Sequence, residues 1–65
     1  MIGTIKTLVR AKGYGFIRGA DAHEYFFHQS AVDDFSALHE GDTVQFVPGK
    51  SAKGPRAEDL SKENA

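Results

Sequence analysis

The chain has 65 residues, a formal net charge of -1 and no cysteine. That length gives one domain with a modest core, and the missing thiols exclude a disulfide staple and a Cys-based zinc site. No apolar run is long enough to span a bilayer, and Met1-Ile2-Gly3-Thr4-Ile5-Lys6 lacks the layout of a secretory signal, so a cytoplasmic location is expected.

Ile2 to Val9 is rich in β-branched residues and reads as a strand. Arg10-Ala11-Lys12-Gly13 reads as a turn, Tyr14 to Arg18 as a second strand, Gly19-Ala20-Asp21-Ala22 as a second turn, and Glu24 to His28 as a third strand. Ser30 to Leu38 is helical in character: Ser30 suits a cap, Gly41 suits a stop, and Val32, Phe35 and Leu38 recur every third residue. That period is nearer 3₁₀ than α, so one or two short helical turns inside a long loop are expected. Thr43 to Val47 reads as a fourth strand stopped by Pro48-Gly49, and Arg56 to Leu60 as a fifth entered through Gly54-Pro55. The polar tail from Ser61 to Ala65 is expected to fray. Short strands punctuated by glycine and proline suggest a small barrel or sandwich, with residues 1–65 as its single domain.

The near-neutral net charge argues against a strong polyanion binder, but the charges are segregated. Lys6, Arg10, Lys12 and Arg18 occupy the first twenty positions without an acid. Asp21, Glu24, Asp33, Asp34, Glu40 and Asp42 follow without a lysine or arginine, and Lys50, Lys53 and Arg56 come next. Folded, these blocks suit one basic face and one acidic back; a mixed solvated surface is the alternative.

Residues two apart in a strand share a face. In Lys12-Gly13-Tyr14-Gly15-Phe16-Ile17, an inward Ile17 turns Tyr14 and Phe16 to water. In the third strand Phe26 and His28 share one face, while Tyr25 and Phe27 share the other and make the larger core. The pairing of these strands gives a surface of Tyr14, Phe16, Phe26 and His28, with Lys12 and Arg18 at its ends. On the first strand Lys6 and Leu8 are expected to share a face. Exposed rings beside cations suit unstacked bases, and a duplex hides its base faces, so single strands are the expected partner. Rings buried on both sides of the sheet would remove that surface.

Other chemistries find little support. His23, His28 and His39 lack the i, i+4 spacing of a helical metal pair, and Gly13-x-Gly15 has neither the third glycine nor the helix of a dinucleotide fingerprint. Asp33-Asp34 has no nucleophile beside it in the sequence, and nothing marks Ser30 as activated. No enzymatic activity, metal, cofactor or small-molecule substrate is expected.

The segment KGYGFI, Lys12 to Ile17, resembles the first ribonucleoprotein motif, and YFFHQS, Tyr25 to Ser30, resembles the second motif as cold-shock proteins carry it. Gly41 to Phe46 and Lys53 to Ala57 are similar to later segments of the same family, so the resemblance covers nearly the whole chain. RNA-recognition-motif domains share the first motif but carry the second one earlier and need two full helices. The cold-shock resemblance implies an all-β fold, a five-stranded antiparallel Greek-key barrel of the oligonucleotide-binding type. It also implies binding of single-stranded RNA or DNA, with a role as an RNA chaperone or regulator of gene expression; the chain is expected to be a monomer. By the same resemblance the binding residues are Lys6, Lys12, Tyr14, Phe16, Phe26, His28, Phe35 and Lys53, with Phe35 as a loop aromatic. Arg56, next to Gly54-Pro55, is expected to add a cation–π or phosphate contact.

The chain departs from that family's pattern in three places. Lys6-Thr7-Leu8-Val9 stands where members usually have Lys-Trp-Phe-Asn, Gln29 stands where an aromatic usually follows the histidine, and the loop before Phe35 is short. Thr7, Leu8 and Gln29 thus lack stacking rings. If two such positions each contributed about 1 kcal/mol, affinity falls by some tens of fold. These losses and the acidic middle segment motivate the competing expectation, a protein-interaction barrel with weakened or lost nucleic-acid binding.

Overall fold

A computed structural model describes residues 1–52 and 54–63. The chain runs through five strands: β1 (Ile2–Val9), β2 (Tyr14–Gly19), β3 (Glu24–His28), β4 (Thr43–Ser51) and β5 (Gly54–Lys62). Two 3₁₀ turns, Gln29–Ala31 and Phe35–Ala37, lie in the loop between β3 and β4. The strands close into a barrel in the order β1-β2-β3-β5-β4. This is the all-β, five-stranded barrel that the sequence leads one to expect. Four of the pairings are antiparallel, and the β3–β5 seam that closes the barrel is parallel.

Alternation along the strands builds the core. Ile5, Ile17, Tyr25, Phe27, Leu38, Val44, Phe46, Ala57 and Leu60 are all buried and form one cluster. Leu8, Val32 and Phe35 pack against its ends. The interior leaves so little room that glycine is required at position 15. A Cβ there would sit 2.5 Å from the Thr7 carbonyl oxygen and 2.9 Å from the Phe27 ring. The absence of a side chain lets β1 and β3 close over β2.

Several expectations about the later strands need correction. Pro48-Gly49 does not stop β4: Pro48 registers with Ala57 and Gly49 with Arg56. The reason is that β4 pairs with β1 only through Thr43–Gln45, so its second half is an edge, where proline is tolerated. The fifth strand is likewise longer than Arg56–Leu60. Ser61 and Lys62 belong to β5, and the Glu63 N–H donates to the Thr43 carbonyl at 2.9 Å. The tail is therefore held as far as residue 63; the last two residues lie outside the described part. Asp59, with φ of 48°, takes up the register shift between β4 and β5 opposite Phe46.

The loop forms the short turns expected, but Ser30 is not the cap. His28 caps the first turn, its ring accepting from the Ser30 N–H. The second turn is followed by Leu38, which is buried, and by Gly41 at φ of 93°. Gly41 and Asp42 then bond the free edge of β1 through Ile5, at 2.8 and 2.9 Å. The side chain of Glu40 accepts from the Leu8 N–H at 3.2 Å.

Candidate nucleic-acid interface

The register of β2 on β3 sets Tyr14 opposite His28 and Phe16 opposite Phe26. Their inward neighbours Gly15, Ile17 and Phe27 are buried, so all four of these side chains lie on the outer face, half-buried against each other. The ring centroids are 5.9 Å apart for Tyr14–Phe16, 5.5 Å for Tyr14–Phe26 and 5.9 Å for Phe16–Phe26. Edge-to-face and tilted contacts fix each ring against its neighbours, which limits the ordering cost when a flat ligand lands.

His28 is oriented as well. Its Nδ1 accepts the Ser30 N–H at 3.1 Å and lies 2.9 Å from the Ser30 Oγ. In the neutral ring the proton then sits on Nε2, which leaves a donor directed away from the protein turn.

On the β1 side a bulge decides what joins the face. Ile5 registers with Ile17, Thr7 with Phe16, Leu8 with Gly15 and Val9 with Tyr14, so Lys6 is the extra residue. This corrects the expectation that Lys6 and Leu8 share a face. Leu8 turns inward onto the core, while Thr7 and Val9 form the shoulder beside Phe16 and Tyr14. Lys6 remains exposed, and its Nζ meets Glu24 Oε2 at 2.9 Å. Sequence reasoning passed over Glu24 as a member of this surface. The signal was present, since Glu24, Phe26 and His28 are spaced to share one side of a strand.

The cations divide into committed and uncommitted ones. Arg10 donates to the carbonyls of Leu38 and Ser36 and so braces the loop. Lys62 meets Asp42 at 3.3 Å. Lys12 is exposed in the turn closed by Gly13, whose φ is 73°. Arg18, two residues beyond Phe16, registers with Glu24. Arg56 registers with Phe26 across the parallel seam, and its neighbour Ala57 is buried, so Arg56 shares the outer face. Its Nε is covered and has no hydrogen-bond partner.

Two expected contributors are not gathered here. Phe35 packs on the core, its ring 6.1 Å from the inward Phe27, and none of the ring contacts among the described residues joins it to the outer cluster. Lys53 lies outside the described residues. Gln29, where an aromatic was missed, folds over the turn: its N–H donates to the Gly13 carbonyl at 2.8 Å, and a Cβ on Gly13 would meet its side chain at 2.8 Å.

Asp21 and Asp42 are engaged within the protein. The Tyr25 hydroxyl donates to Asp21 at 2.6 Å and holds that carboxyl below its ordinary pKa, helped by the His23 N–H; the same bond raises the Tyr25 hydroxyl. Asp42 is lowered by the His39 N–H and by Lys62. No group of three or more metal-ligating side chains forms among the described residues, and no helix is long and apolar enough to cross a membrane.

Comparison with known proteins gives the same answer as the motifs. The family model of the 'Cold-shock' DNA-binding domain matches residues 1–63. "Cold shock protein 1" of Lactiplantibacillus plantarum is 46% identical over 57 residues, covering 85% of this chain and 86% of that protein. "Cold shock-like protein CspC" of Bacillus cereus is 38% identical over 64 residues, covering 95% of this chain and 98% of that protein. "Cold shock protein CspC" of Bacillus subtilis is 37% identical over 62 residues, covering 92% and 94%. With its closed barrel, its two motifs on adjacent strands and a match along nearly its whole length, the chain belongs to the cold-shock domain family.

Proposed function

We propose that the chain binds single-stranded RNA or DNA on the face of Tyr14, Phe16, Phe26 and His28, with no enzymatic turnover. The observation that carries this reading is the cluster of three mutually braced outer rings, with centroids no more than 5.9 Å apart. Each ring offers a base a stacking partner worth roughly 1–3 kcal/mol by truncation. The His28 Nε2–H adds a hydrogen bond, and Lys12 and Arg18 supply positive charge for the phosphates. By capturing unpaired strands the protein would shift weak RNA structure toward the open form, the behaviour of an RNA chaperone acting as a cytoplasmic monomer. Fewer rings than the family pattern make the capture weaker and faster, which suits that role.

Fluorescence anisotropy with a labelled pyrimidine-rich oligonucleotide tests the proposal. Phe16→Ala with Phe26→Ala is expected to weaken binding at least tens of fold, and amide shifts on addition of the oligonucleotide are expected at Tyr14, Phe16 and Phe26. Unchanged binding in the double variant would remove the stacking face. No shifts at all, together with capture of a specific protein partner, would favour the protein-interaction reading, toward which the commitment of Lys6 to Glu24 points.

A further inference from the structure

We infer that Arg56 reads the edge of the base stacked on Phe26 and favours guanine there, a specificity that rests on the nucleic-acid face proposed above. Stacking alone is indifferent to sequence, because every base has a π face. Arg56 is placed to break that indifference. It stands level with Phe26 on the neighbouring strand and on the same outer face. It is half-buried, whereas Lys12 and Arg18 are exposed. Its Nε is covered and unpaired, and among the described residues no carboxylate or carbonyl engages the guanidinium.

A buried donor without an acceptor is an unfavourable state that a ligand acceptor relieves. Lys6, Arg10 and Lys62 have protein acceptors, and Lys12 and Arg18, for which no acceptor is found among the described residues, are exposed. A guanidinium presents parallel N–H groups in one plane and matches two acceptors set side by side. Guanine carries such a pair in O6 and N7, whereas adenine places an amino donor next to N7. Thymine has no two adjacent acceptors on either edge. With the base plane set by Phe26, rotation within that plane brings the guanine edge to the fork.

The test uses the full chain and three seven-nucleotide DNA strands: all thymine, thymine with one central guanine, and thymine with one central adenine. Guanine and adenine are both purines and stack alike, so their difference isolates the edge contact. The wild-type chain is expected to prefer the guanine strand over the adenine strand by on the order of tenfold. Arg56→Lys keeps the charge and is expected to keep the salt dependence while losing the preference. Arg56→Gln is expected to lose the preference too, with its amide spectrum reporting that the barrel is intact. Equal affinity of the wild type for the two purine strands overturns the inference. So does a uniform loss across all three strands in Arg56→Gln with a shallower salt dependence, which marks a phosphate contact. Failure of the wild type to bind any of the strands would instead sink the nucleic-acid face itself.

Discussion

Glu24 is the sharpest electrostatic probe of the proposed face. Its carboxylate lies 2.9 Å from the Lys6 ammonium, with side-chain exposures of 54% and 52%. An ion pair so exposed stabilises the fold by no more than about 1 kcal/mol, so Glu24→Gln is expected to leave the barrel intact. The effect on binding is larger in relative terms. Releasing Lys6 to one phosphate adds about 0.7 to the slope of log affinity against log salt for a single strand. From 1 M down to 0.1 M salt, that extra slope amounts to about fivefold tighter binding in the variant. The assay is anisotropy with one oligonucleotide at four or more salt concentrations, on the wild type, Glu24→Gln, Lys6→Ala and the double variant. The gain is expected in the first variant and not in the double. An unchanged slope in Glu24→Gln would refute the idea that Glu24 restrains Lys6. A gain that persists without Lys6 would move the effect to Arg18, the cross-strand partner of Glu24.

Three further outcomes are expected. Gly15→Ala forces a methyl to within 2.5 Å of the Thr7 carbonyl oxygen and 2.9 Å of Phe27, so urea denaturation should show a loss of about 2 kcal/mol or more. Asp21 has a folded pKa below its unfolded value, chiefly through the Tyr25 hydroxyl, so its contribution is complete above the ordinary carboxylate value and is lost as pH falls through the folded one. Thermal melts should accordingly show a shallower acid-side decline in Asp21→Asn than in the wild type. Arg10→Ala removes the donor to the Ser36 and Leu38 carbonyls, and hydrogen exchange at the Leu38 amide should accelerate while oligonucleotide shifts at Phe16 and Phe26 persist.

The first three strands were legible because period-two alternation, β-branched runs and glycine turns all agree between Ile2 and His28. From the same alternation came the outward set of Tyr14, Phe16, Phe26 and His28. What escaped was set by partners far along the chain. The bulge at Lys6 reverses the side on which Leu8 lies, and a single sequence carries no mark of an extra residue in a ladder. Pro48 reads as a stop unless one knows that its half of β4 lacks a second neighbour. Phe35 had two readings, a packed ring from its spacing and a binding ring from the family pattern; it rests on Phe27.

The barrel closes where its ladder is shortest: among the described residues, β3 and β5 share one register pair, Phe26 with Arg56. Those same two side chains form one margin of the proposed ligand surface. A nucleotide seated across them would act as a clasp on the seam with the shortest ladder, tying β5 to the first three strands. Occupancy and resistance to unfolding then become a single quantity, with the melting temperature climbing as oligonucleotide is added.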